Sequence, residues 1–455
     1  MDMSTEPVRT GNDFYGALAA RKPEIVAEYR RLTPRSAALT ERAAHVFPGG
    51  YTRDALLRAP YAPFVVEGAG STLTDADGRR LTDLWFNATS LPLGHAHPGI
   101  VQAIQQQAAK GTAYFAPTEH ELALAELLAA RVPSFERIRF ANSGSEAVMM
   151  AIRFARAQRG CPLIVKFEGS YHGSYDDVSW SVSPPLDRVG APGAPSAVAE
   201  TGGLAGTEGR VAVLPFNDAA TLRAYVQANH RQIAGLLVEP LANRIGMVMP
   251  DPAFLAEARS LCTAYGVVLI FDEVIAFRLG YRGAQGAMGV TPDLTTLGKI
   301  IGGGLPVGAV AGRADILGLS APDQAGRVTH AGTFNGNPMT AVAGRATMDA
   351  LTPELFDRIG ALGAYVRDGL TAIADGLPLQ VTGAGSLFKV TATARPIRNY
   401  RDAATNDKAW ESTASLALLN AGFLMTPTLS GCVSAVTTRA ELDLFLDAFQ
   451  HIVQS

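Results

Sequence analysis

Apolar and polar positions divide the chain into three stretches with different rhythms. At 14–21, 23–31 and 34–46, apolar residues recur at helical spacing among charges, which predicts three helices. Phe47-Pro48-Gly49-Gly50 then supplies strong breakers. Short runs at 64–67 and 71–75 flank Gly68-Ala69-Gly70 and predict two strands, with Asp77-Gly78 as the following turn. From about residue 98, helical segments alternate with short β-branched runs at 138–141, 163–167, 211–214, 235–239, 267–272 and 308–312. Those runs lack polar alternation, so their strands are expected to be buried on both faces. With helices interleaved, an α/β fold around a mostly parallel sheet follows. Residues 181–210 are rich in Pro, Gly, Ala and Ser and read as a long loop able to cover a site. Beyond about 340, one long helix over 341–373 is expected, then an α+β tail with strands at 379–382 and 387–392.

Composition narrows the class. The 455 residues are 47% hydrophobic and 18% charged, enough for a sizeable core and unlike a disordered chain. Lys+Arg is 39 and Asp+Glu is 42, a net charge of -3, so neither nucleic acid nor a membrane surface is an expected partner. Cys161, Cys262 and Cys432 are widely spaced and form no ligand pattern. They are expected to be reduced and buried, with no metal site, in a cytoplasmic protein. The first ten residues are polar and carry no apolar signal core. The 46 glycines are clustered, which suggests backbone closing on a ligand.

Three segments carry candidate chemistry. Asn142-Ser143-Gly144-Ser145-Glu146-Ala147 follows a strand and opens a helix. Free N–H groups and the helix dipole there favour an anion such as phosphate, although an ordinary N-cap has the same look. Phe271-Asp272-Glu273 ends an apolar strand, where α/β sheets place ligands; an acidic cap to the next helix is the alternative. Lys299 lies among apolar residues and beside Gly302-Gly303-Gly304. Desolvation lowers a lysine pKa and suits a Schiff-base amine, although a lone lysine is more often structural. Together, a phosphate cradle, a strand-end carboxylate and a lysine 27 residues later meet the needs of pyridoxal phosphate. An aromatic after a strand (Tyr171) and a hydroxyl before a helix (Thr333) fit the same scheme.

With these residues in view, the chain resembles the class III aminotransferases of fold type I. It is most similar to the branch of glutamate-1-semialdehyde aminomutase and the β-amino-acid transaminases. The resemblance runs from about Phe47 onward, through LGHAHP, NSGSEA, EGSYHG, LPFND, VEP, FDEV, TTLGKIIGGGLPVGA and GTFNGNP. It implies a large domain with a mostly parallel, seven-stranded-type sheet at 86–334. A small α+β domain would be formed by both chain ends, 1–85 and 335–455. It implies that pyridoxal 5'-phosphate is bound and that Lys299 carries it and shuttles a proton. Asp272 would pair with the pyridine nitrogen. Gly144 and Ser145, with Ser143 close by, would bind the phosphate. Tyr171 would stack on the ring beside His172, Glu239 would sit near the ring edge, and Val274 would border the cofactor. Thr333 would reach the phosphate of a partner subunit in a homodimer.

Arg53 matches the arginine this branch uses to grip a substrate carboxylate, a bidentate task for a guanidinium. Phe86 and Asn87 are expected to line the substrate pocket, reshaped relative to the aminomutases at Phe86 and Ala88. The β-phenylalanine-type enzymes carry a second arginine in a stretch that here reads Thr426-Pro427-Thr428-Leu429-Ser430-Gly431. In the run after VEP, Asn243 or Arg244 is expected to enter the site, with Arg244 as the candidate replacement; a surface position for Arg244 is the alternative. The activity expected from this reading is ping-pong transamination between an amino donor, best a β-amino acid, and a 2-oxo acid. Intramolecular transfer, as in glutamate-1-semialdehyde 2,1-aminomutase, is the second reading.

Overall fold

The computed structural model describes residues 11–202 and 208–454. The polar first ten residues, and 203–207 of the expected loop, lie outside the described residues.

The first two of the three expected N-terminal helices are one, α1 (Gly11–Leu32), with Pro23 inside it. An interior proline costs about 3 kcal/mol. Packing offsets that cost: Phe14, Leu18, Ile25 and Tyr29 fall on one face and are buried. Phe14 meets Trp410 at 5.3 Å between ring centroids. Helix α2 (Pro34–Ala44) follows.

Strands β1 (Val65–Ala69), β2 (Thr72–Asp75) and β3 (Arg80–Asp83) form an antiparallel meander. Its fourth strand comes from the far end of the chain.

Among the described residues the central sheet has seven strands. These are β4 (Arg137–Ala141), β5 (Leu163–Phe167), β6 (Val211–Leu214), β7 (Ile233–Val238), β8 (Val268–Asp272), β9 (Leu294–Gly298) and β10 (Gly308–Gly312). Their spatial order is β4-β10-β9-β8-β7-β5-β6. Only β10 runs against the rest. Strand β9 was not expected: its glycine and paired threonines disguise a fully buried strand. Helix α3 (Gly144–Arg159) packs across β7, β9 and β10.

The single long helix expected after 340 is two, α4 (Pro338–Ala350) and α5 (Pro353–Ala374). Leu351 leaves helical geometry, Thr352 caps the backbone N–H of Leu355, and Pro353 starts the next helix, where its missing N–H costs nothing.

Strands β11 (Gln380–Thr382), β12 (Leu387–Thr391) and β14 (Ser430–Cys432) form a small sheet, while β13 (Phe423–Leu424) pairs in parallel with β3. Helices α6 (Lys408–Asn420) and α7 (Arg439–Gln454) share one core with α1 and α5. Both chain ends therefore contribute to the same packed unit. No helix among the described residues is long and apolar enough to cross a membrane. Cys262 and Cys432 are buried as expected, whereas Cys161 is half-buried.

Candidate active site

Strand β8 is apolar up to its last residue, Asp272, which is only 7% exposed. Its Oδ1 accepts hydrogen bonds from Val274 N (3.1 Å) and Thr296 Oγ1 (3.0 Å). Its Oδ2 lies 2.8 Å from His172 Nδ1. Thr296 faces Asp272 through the parallel register of β8 and β9. Burial holds His172 below the ordinary histidine range, opposed by its hydrogen bond to Asp272. A carboxylate only accepts, so the neutral ring carries its proton on Nδ1. His172 Nε2 is left buried without a partner.

Strand β9 ends at Gly298, and Lys299 follows in left-handed backbone at φ 48°. Among the described residues Lys299 Nζ makes no hydrogen bond. Removal from water lowers its pKa, while Asp272 and Glu239 pull the other way. The amine is therefore poised to lose its proton.

The start of α3 lies against the same strand ends. Ser143 caps it, accepting from Glu146 N at 3.1 Å. The backbone N–H groups of Gly144 and Ser145 have no partner among the described residues. A Cβ on Gly144 would sit 2.9 Å from both methyls of Val274, so only glycine lets this helix end close on the Asp272 segment. Val274 thus packs on the cradle from behind.

Tyr171 is 41% exposed. Its N–H donates to Glu239 Oε2 at 3.2 Å. The Arg244 guanidinium lies 5.4 Å from its ring centroid, a cation–π distance. Burial first, then the charge of Asp272, push Glu239 up to about 8, so it keeps its proton at neutral pH. Behind this layer, wholly buried Lys166 donates from Nζ to the carbonyls of Ser170 (3.1 Å), Val178 (3.0 Å) and Trp180 (2.5 Å). Burial brings its pKa down to about 7.

Arg53 is exposed and donates from Nη2 to Asn87 Oδ1 at 3.2 Å. It forms no ion pair among the described residues. Asn87 belongs to an unusual turn: Phe86, Asn87, Ala88 and Thr89 have φ of 46°, 49°, 55° and 72°. Left-handed backbone costs about 1–2 kcal/mol per residue, less for Asn, so this turn must be held. Asp83 Oδ1 accepts from Trp85 N (2.7 Å) and Phe86 N (2.9 Å), and its Oδ2 lies 2.7 Å from His95 Nε2. Phe86, expected in the substrate pocket, is instead fully buried. Its ring stacks on His95 at 5.8 Å and packs among Leu241, Met247 and Ala276. Phe86 therefore locks the turn against the loops that follow Glu239 and Asp272; Asn87 is the member left facing out.

Thr333 is not gathered with these residues. It is exposed in a separate cavity of about 590 Å³, lined also by Phe115, Glu121, Arg139, His330 and Asn335.

The family model described as aminotransferase class-III matches residues 58–453. The chain belongs to the class III aminotransferase family. Its cofactor is pyridoxal 5'-phosphate. The free Lys299 amine, the unpaired His172 Nε2 and the open N–H groups of α3 all suit that group.

The glutamate-1-semialdehyde 2,1-aminomutase of Methanothermobacter thermautotrophicus is 39% identical over 424 residues, covering 92% of this chain and 99% of the relative. Among solved structures, an omega-transaminase from Sphaerobacter thermophilus has a TM-score of 0.88 at 45% identity, covering 92% of this chain and 97% of its own. A glutamate-1-semialdehyde aminomutase from Pseudomonas aeruginosa in complex with PMP has a TM-score of 0.88 at 25% identity, covering 96% and 98%. The expected two-substrate transamination with a β-amino acid donor is thereby corrected. Further relatives at 40% identity over 82–87% of the chain also carry the aminomutase name, which favours the intramolecular reading.

Sequence reasoning missed Thr296, Lys166 and Arg278 around this class III site. Thr296 was within reach, because it sits three residues before Lys299. Lys166 gave no signal because its partners are backbone carbonyls, and Arg278 gave none because its partners come from distant segments.

Proposed function

We propose that this class III enzyme moves an amino group between adjacent carbons of glutamate 1-semialdehyde, giving 5-aminolevulinate. The observation that carries the reading is the provision for one carboxylate. Among the described residues Arg53 and Asn87 form an outward-facing grip, Arg244 is engaged with the Tyr171 ring, and residues 426–431 hold no arginine. Lys389, the cation beside that stretch, is committed to Thr428 O and, at 3.8 Å, to Glu411. A substrate with one carboxylate that keeps its nitrogen needs only one such grip.

When bound, pyridoxal phosphate supplies an electron sink and, in its amine form, the exchanged amino group. Lys299 would hold the cofactor and, as an uncharged amine, move the proton at the substrate carbons. Asp272, oriented by Thr296 and His172, would pair with the ring nitrogen. The N–H groups of Gly144 and Ser145, beside Ser143, would take the phosphate, with Val274 closing the cradle. Tyr171 would cover the ring, steadied from outside by Arg244. Glu239 would offer its retained proton to the polar ring edge. Thr333 would serve the site of a second copy; the exposed rings of Phe115 and Phe334 beside it suit a face that another chain covers.

Retention of the amino group also needs a covered site. Residues 181–200 are tied down by Tyr400 Oη to Pro184 O (2.6 Å) and by Arg401, which donates to Gly190 O (2.9 Å) and pairs with Glu168.

The test supplies glutamate 1-semialdehyde to purified holoenzyme without any 2-oxo acid. Accumulation of 5-aminolevulinate is expected. Product that appears only when a keto acid is added would refute the proposal.

A further inference from the structure

Arg278 lies six residues beyond Asp272, in the short turn Ala276–Leu279, and is 3% exposed. It forms no ion pair among the described residues. Its Nε donates to Ser386 Oγ (2.8 Å), Nη1 to Thr89 O (2.7 Å) and Cys432 Sγ (3.4 Å), and Nη2 to Val433 O (2.7 Å). Three bodies of structure therefore meet on one guanidinium. The first is the segment leaving β8, which carries Asp272. The second is the left-handed turn, gripped at its last residue. The third is the sheet of β12 and β14, which Ser386 and Cys432 border.

A cation buried without an acid is a poor way to gain stability, because its desolvation is not repaid by an opposite charge. The planar fork does something an apolar side chain cannot: it fixes carbonyls from two separate segments at set angles. One of them, Thr89 O, is two residues from Asn87, whose side chain receives Arg53.

We propose that Arg278 is a positioning residue for substrate. By holding Thr89 O it sets the Phe86–Thr89 turn, and with it the Arg53–Asn87 grip, relative to the Asp272 segment. This rests on the reading that Arg53 and Asn87 take the substrate carboxylate. It assigns the distance between carboxylate and reacting carbons to a residue that touches neither.

Arg278→Met and Arg278→Lys test it in the holoenzyme. For Arg278→Met the KM for glutamate 1-semialdehyde should rise by about tenfold or more, with kcat within about threefold. The dissociation constant of levulinate, which keeps the carboxylate and lacks the amine, should rise in parallel by calorimetry. Cofactor affinity, read by fluorescence titration, should stay within about twofold, because the cradle lies on other residues. Arg278→Lys keeps the charge but not the fork and should recover only part of the loss. Unchanged KM and levulinate affinity in Arg278→Met would overturn the proposal, as would a parallel loss of cofactor affinity and kcat. Should Arg278→Met not fold, Ser386→Ala frees only Nε and must show the same KM-selective rise; an unchanged KM there overturns the proposal as well. The levulinate titration decides the matter even if wild type does not convert glutamate 1-semialdehyde, an outcome that would refute only the aminomutase reading.

Discussion

Glu239→Gln should change how stability depends on pH. The wild-type carboxyl is 8% exposed, lies near Asp272 and accepts the Tyr171 N–H. Its pKa rises from 4.5 to about 8 on folding. The folded state thus binds this proton more tightly than the unfolded chain does. Its contribution to stability is full below the unfolded pKa and is lost as pH rises through the folded one. Between about pH 5.5 and pH 8.5 that loss is about 3 kcal/mol, at about 1.4 kcal/mol per tenfold change in the binding ratio. Lys166 works in the opposite sense, since its pKa falls on folding and its contribution grows as pH rises above about 7. The comparison must therefore be wild type against variant, not one pH against another. Glutamine is near-isosteric, keeps an acceptor for Tyr171 and cannot ionise. Urea unfolding of the cofactor-stripped enzymes should show the variant gaining about 3 kcal/mol on wild type between those two pH values. A stability difference that stays constant across that range would refute the assigned proton.

Other predictions follow from single residues. Ala88→Gly, at φ 55°, should relieve left-handed strain and stabilise the fold by about 0.5–1 kcal/mol; a lower urea midpoint would contradict the strain argument. Lys166→Met should cost about 2–4 kcal/mol by leaving three carbonyls unsatisfied. It should also speed amide exchange over residues 170–180, and unaltered exchange there would remove the clamp. Lys299→Ala should abolish the visible absorbance of lysine-bound cofactor; a band that persists would displace Lys299 from its role.

What the sequence made legible follows from what it encodes locally. Runs such as 163–167 and 268–272 are apolar apart from Lys166 and the strand-end Asp272, and their burial in a parallel sheet needs no distant information. The helix-start signal at Ser143 and the strand-end Asp272 are likewise local, and the fold brings them within contact through Gly144 and Val274. Phe86 was misjudged because nothing in its neighbours announces four successive left-handed residues. That conformation is imposed by Asp83, His95 and Arg278, which lie in three different segments. The break at Leu351 was missed because the apolar spacing continues across it, and only Pro353 marks the new start. Arg244 was open between site and surface; its position over Tyr171 is a matter of loop geometry that spacing does not carry.

The pairing of β13 with β3 has a consequence for synthesis. A chain leaving the ribosome has made every member of its own proposed cofactor cradle once Lys299 has emerged, with Thr333, proposed for a second copy, following 34 residues later. The grip cannot be secured so early. Strand β3 leads directly into the Phe86–Thr89 turn, yet its neighbour is Phe423–Leu424, and the Arg278 partners Cys432 and Val433 come later still. Translation therefore orders the two halves of the site in time, with the residues of the proposed cofactor cradle available before the proposed carboxylate grip can be fixed. A chain that stalls or is clipped between Lys299 and residue 423 would retain the cradle residues and lack the strand that secures the proposed carboxylate grip.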